Sequence, residues 1–202
     1  MSKNEIVFIH IPRTGGGSFI RLLLEWYHPD FHKFTGTLEH SPNLKKRVNA
    51  GHFPADRKYL DAYLCTFMRD PVEWTISRWH YGNLIGREYF SDPIEFMDKT
   101  KKTNRQSHFL NDIKPNEFDF IGITDYYEES IELFKCTAPP SNIRVWNNHR
   151  RNAAPRDFEI KQEWIEEIRK RNSIDIKLYK QAKKYFRYLC QENLKNEKDC
   201  DC

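Results

Sequence analysis

Three stretches of this chain carry residue types at spacings that could do chemistry. The first is His10-Ile11-Pro12-Arg13-Thr14-Gly15-Gly16-Gly17-Ser18-Phe19. Its three glycines follow an apolar, β-branched run, Ile6-Val7-Phe8-Ile9, and lead into residues 19–26, apolar around most of a helix. Strand, glycine loop and helix aim free backbone N–H groups at an anion, and glycine lets the backbone approach it closely. Arg13 adds a fixed charge and a planar donor fork suited to phosphate or sulfate. Thr14 and Ser18 add hydroxyls. No Lys follows the glycines, so this is not the triphosphate loop, which needs Gly, four residues, then Gly-Lys-Ser/Thr.

The second stretch is Gly51-His52-Phe53-Pro54, which ends a short apolar piece beginning at Val48. A histidine at a strand end can project into the cleft at the carboxyl edge of a sheet. There it could serve as a general base, or be a structural histidine. The third stretch follows a buried-strand pattern, Tyr63-Leu64-Cys65-Thr66-Phe67-Met68, and reads Arg69-Asp70-Pro71-Val72-Glu73-Trp74-Thr75-Ile76-Ser77. Asp70 suits an N-cap, Pro71 the first helical position, and Glu73 completes a capping box. Arg69 then lies at a strand end and Ser77 about two turns into the helix. A phosphate between them could meet both; a capped helix with Arg69 paired to Asp70 is the structural alternative.

Together and in this order the three stretches resemble the carbohydrate sulfotransferases, of the heparan and dermatan 2-O-sulfotransferase kind and their bacterial relatives. The first resembles the 5′-phosphosulfate loop His-Ile-Pro-Lys-Thr-Gly-Gly-Thr-Ser, with Arg13 standing for its Lys and Gly17 for its Thr. The third matches the 3′-phosphate motif Arg-Asp-Pro-x-x-x-x-x-Ser at all four fixed positions. The resemblance implies 3′-phosphoadenosine-5′-phosphosulfate (PAPS) as sulfuryl donor and a hydroxyl-bearing acceptor, a carbohydrate. It implies donor contacts from Arg13, Thr14, Gly15, Gly16, Gly17, Ser18, Phe19, Arg69, Ser77 and Arg156. His52 is the expected base, with Arg13 stabilising the leaving oxygen and His108 as the second choice of catalytic histidine. His108 sits in Asn104-Arg105-Gln106-Ser107-His108-Phe109-Leu110, which resembles a family segment near the acceptor; a polar helix end is the other reading. A phosphotransferase on a related fold and a non-catalytic nucleotide- or sulfated-glycan-binding module are the alternatives.

Elements must position these residues. The expected fold is α/β, a single domain with a central, mainly parallel sheet flanked by helices, like the P-loop-related sulfotransferase fold. Residues 118–124 read as a further parallel strand and 128–134 as its helix, while 28–46 reads as a long connection with little regular structure. Residues 158–170 and 174–189 read as helices, the second with a stripe of Leu178, Ala182, Tyr185 and Leu189. The domain is expected over 1–190, with 191–202 a frayed polar tail.

The bulk composition fits this. The 202 residues suit one domain, and 39% hydrophobic with 14% aromatic content can build a core. The net charge of +4 is spread along the chain, without the basic-aromatic stripe of a nucleic-acid binder. Five cysteines, Cys65, Cys136, Cys190, Cys200 and Cys202, form no C-x-x-C, and no metal-ligand set is visible. No run approaches the ~20 apolar residues of a membrane span, and the first strand leaves no room for a signal peptide. A soluble, cytoplasmic protein is the expectation.

Overall fold

The computed structural model describes residues 3–87, 89–140 and 158–194. Five strands form one sheet: β1 (Ile6–Ile9), β2 (Phe31–Thr37), β3 (Val48–His52), β4 (Tyr63–Met68) and β5 (Phe120–Ile123). Their order is β2-β3-β1-β4-β5, and all four pairings are parallel. Strands β1, β3 and β4, and the edge strand β5, are short and buried almost throughout, as strands covered on both faces must be. Parallel pairing needs crossovers; helices supply those from β1 to β2 and from β4 to β5, while β2–β3 and β3–β4 are joined by irregular chain with a single 3-10 turn. The helices are α1 (Gly16–Tyr27), α2 (Pro71–Leu84), α3 (Pro93–Thr100), α4 (Arg105–Leu110), α5 (Tyr127–Thr137), α6 (Gln162–Arg171) and α7 (Ser173–Asn193).

The expected α/β architecture with a parallel sheet is what the structure has. The core is aromatic: Phe19 of α1 meets Phe8, Phe67 and Phe134 edge-on or tilted at ring separations of 4.8–5.0 Å. A smaller cluster, with Trp79 of α2, Phe96 of α3, and Trp164 and Ile168 of α6, joins the helices beyond the sheet. Among the described residues, no helix is long and apolar enough to cross a membrane.

Two local expectations are corrected. The connection at 28–46 contains edge strand β2, whose last pairing sets Thr37 beside His52. Only Phe34 of its seven residues is buried, so it lacks an apolar run. On α7 the buried face is Asp175, Tyr179, Ala182 and Phe186, and of the expected stripe Leu178 and Leu189 are partly buried beside Ala182 against the core.

The sheet order fixes where a ligand can sit. The chain leaves β1 toward β2 on one side, and leaves β4 toward β5 on the other. Between β1 and β4 the connections diverge and open a crevice at the carboxyl edge. The glycine loop follows β1 and Arg69 follows β4, so they flank that crevice.

Candidate active site

The glycine loop is held by its carbonyls. His52 Nδ1 lies 2.6 Å from the His10 oxygen. The Thr14 hydroxyl donates to Ile11 O at 2.8 Å, Trp74 Nε1 to Pro12 O at 2.7 Å, and Arg69 Nη1 to Arg13 O at 3.3 Å. The Thr124 hydroxyl donates to Thr14 O at 2.7 Å, and the N–H groups of Ser18 and Phe19 both approach Gly15 O. Six consecutive carbonyls are thus engaged from outside the loop or across it. That fixes the orientation of the peptide planes between them. With Ser18 and Phe19 bonded to Gly15 O, the Gly16 and Gly17 N–H groups that open α1 have no intrahelical acceptor, so the loop and first turn suit an anion.

Two glycines have separate reasons to be there. Gly15 has φ +89°, a left-handed conformation. A Cβ on Gly16 would lie 2.2 Å from His10 Cδ2, so the imidazole occupies its space. Gly17 faces open space and is exposed. Thr14 and Ser18 are buried. The Phe19 side chain belongs wholly to the core, so what it can offer a ligand is its place in the first turn.

A second cationic site lies across the crevice. Asp70 caps α2 by accepting from the N–H groups of Val72 and Glu73, with Pro71 next in line. Glu73 turns its carboxylate to Arg69, Nη2 to Oε2 3.1 Å, so Arg69 pairs with Glu73. Arg13 reaches over from the glycine loop. Its Nε donates to Ser77 Oγ at 3.2 Å and its guanidinium stacks 4.2 Å over the Tyr81 ring. Burial lowers the Arg13 pKa, and the neighbouring positive charges of Arg69 and Arg78 lower it further. Three guanidinium groups so close together repel one another, and an anion among them relieves that repulsion.

His52 ends β3 beside this loop, its ring stacked on that of His10 with centroids 4.2 Å apart. A carbonyl oxygen can only accept, so the contact with His10 O puts the proton on Nδ1 and leaves the Nε2 lone pair available. Burial depresses the His52 pKa, the bond to His10 O offsets part of this, and Lys33 on β2 adds to the depression. His10 is pushed down further by burial, then by His52 and Lys33. Both imidazoles are therefore neutral at neutral pH.

The structure thus brings Arg13, Arg69 and Ser77 together, and sets His52 beside His10 at the root of the glycine loop. His108 is exposed on α4, with its ring contact to the adjoining Phe109. Arg156 lies outside the described residues. The segment around Gln106 turns out to tie α4 to Arg69 and α7, as detailed below. Trp74, Tyr81 and Thr124, which clamp the loop or its arginine, stood out in no sequence pattern, because each acts on a backbone or side chain distant in the chain. Among the described residues, no group of three His, Cys, Asp or Glu side chains could hold a metal ion.

No family model matches this sequence, and no curated protein matches it. A solved structure does resemble it: a sulfotransferase from Alicyclobacillus acidocaldarius, over 93% of this chain and 96% of that one, with a TM-score of 0.54 and 12% identity. At that identity the likeness shows a sulfotransferase-like fold.

Proposed function

We propose that this protein is a sulfotransferase that uses PAPS as donor and a carbohydrate hydroxyl as acceptor. The observation that carries the reading is the pair of anion sites facing each other across the β1–β4 crevice, with a neutral imidazole at its edge. A donor with phosphates at two ends needs two such sites. The cradle of residues 13–18 suits the 5′ end; Arg69 and Ser77, with Arg13 between the two, suit the 3′-phosphate. The clustered guanidinium charges fit a multiply anionic nucleotide.

In this reading PAPS supplies the sulfuryl group, its sulfur bonding the acceptor oxygen as the bond to the 5′-phosphate oxygen breaks. His52 Nε2 takes the proton of the acceptor hydroxyl as that bond forms. The His10 carbonyl holds His52 in the required tautomer and carries part of the charge it gains. Arg13 and the first-turn N–H groups stabilise the negative charge left on the departing adenosine 3′,5′-bisphosphate. A tautomer fixed for proton abstraction favours this reading over a module that only binds nucleotide.

Two measurements test it. Calorimetry should show binding of adenosine 3′,5′-bisphosphate, and labelled PAPS offered with a panel of glycans and small alcohols should label a glycan. Absence of bisphosphate binding overturns the reading. Binding without transfer to any hydroxyl acceptor replaces it with a nucleotide-binding module.

A further inference from the structure

Gln106 is fully buried in α4 and belongs to neither anion pocket. Its carboxamide nonetheless closes a two-bond ring on the main chain of Arg69. The Arg69 N–H donates to Gln106 Oε1 at 3.0 Å, and Gln106 Nε2 donates to Arg69 O at 2.7 Å. A neighbouring strand would satisfy a backbone in this way, but the β4–β5 ladder ends at the pair Met68–Ile123. Past the strand end, Gln106 supplies both bonds with a side chain.

Gln106 is itself anchored. The fully buried Asp175 carboxylate of α7 accepts from the N–H groups of Gln106 and Ser107, at 2.9 and 2.7 Å. An unbroken chain of short hydrogen bonds therefore runs from α7 through α4 to the backbone of Arg69. From there the guanidinium goes out to Arg13 O and Glu73. A long side chain points reproducibly only if its own backbone is fixed.

We propose that Gln106 is a positioning residue for the second anion pocket. By holding the Arg69 backbone from both sides it sets the preference for a nucleotide bearing a 3′-phosphate over one without it. This rests on the sulfotransferase reading, and it adds a residue and a selectivity to it. The glycine cradle draws its hydrogen bonds from His52, Trp74, Thr124 and the loop itself, apart from the one Arg69 contact, so the 5′ site should stand when Gln106 is changed.

The test compares adenosine 3′,5′-bisphosphate with adenosine 5′-monophosphate by calorimetry, in the unmodified protein, in Gln106→Met and in Asp175→Asn. Met keeps length and burial but makes neither bond. The ratio of the two affinities does not depend on the folded fraction, so a merely destabilised variant leaves it unchanged. Gln106→Met should lower the ratio about tenfold through the bisphosphate alone. Asp175→Asn should lower it less, and decides the matter if the Met variant does not fold. A ratio held at the unmodified value overturns the role of Gln106. An unmodified protein that does not prefer the bisphosphate overturns instead the 3′ pocket itself.

Discussion

At the scale of single residues the decisive atom is His52 Nδ1. Its proton is committed to the His10 carbonyl, so Nε2 is the basic nitrogen, and burial keeps it unprotonated below the usual histidine range. His52→Gln should therefore bind adenosine 3′,5′-bisphosphate as before while turnover falls by about 10²–10⁴. On the proposed reading, the acid limb of kcat/KM in the unmodified protein belongs below about pH 6.5, the ordinary histidine value. A limb at or above that value, or a variant with full turnover, removes His52 as base. The glycines give a second pair of outcomes. Gly17 has no atom within 4 Å of where a Cβ would stand, so Gly17→Thr fits and supplies a hydroxyl to the first turn. It should tighten bisphosphate binding by about 0.5–1.5 kcal/mol. Gly16→Ala drives a methyl into the His10 ring and should weaken it; equal affinity in both variants would show that the ligand does not use this turn.

At the scale of elements, α4 and α7 cap each other. Asp175 serves the second and third N–H groups of α4, and Asn104 Oδ1 accepts from Ile174 and Asp175, the second and third of α7, at 3.2 Å each. Asn104 also has φ +48°, a conformation Ala adopts only at a cost. Asn104→Ala should cost about 2–3 kcal/mol, roughly the sum of a lost cap and a strained residue. Asn104→Gly, which relieves the strain and loses only the cap, should cost about half of that. Denaturant midpoints that do not separate the two variants would contradict the argument. The same pair shows what the sequence could convey. The strand–glycine–helix and Arg-Asp-Pro motifs were legible because their apolar runs and breakers are local. The capping role of Asp175 was not, since the N–H groups it serves lie about seventy residues away. Edge strand β2 was missed because one buried residue in seven gives no alternation. Glu73 was read as the second half of a local box, but its charge goes to Arg69, whose direction the sequence does not reveal.

At the scale of the whole molecule, the site leaves a mark on stability. His10 and His52 are both held neutral, His10 by burial first and then by the neighbouring imidazole and Lys33. The unfolded chain binds protons at both near pH 6.5, whereas the folded one does not until lower pH. Their contribution is thus fully present above about pH 6.5 and lost as pH falls through the folded values, by up to about 1.4 kcal/mol per pH unit for each imidazole. Asp175 acts in the opposite sense. Burial raises its pKa despite the N–H groups of Ser107 and Gln106, so its share is greatest at acid pH and lost as pH rises through its folded value, a window that starts at the ordinary carboxylate range. Between pH 7.5 and 5.5 the histidines should set the slope. His10 Nδ1 is buried with no partner among the described residues, so His10→Phe gives up no hydrogen bond there and keeps a ring beside Gly16. Denaturant unfolding at pH 7.5, 6.5 and 5.5 should show the protein losing stability as pH falls, and the Phe variant losing about half as much. Equal slopes would mean that the imidazole at position 10 titrates as it does in the unfolded chain, and is not sealed against the glycine loop.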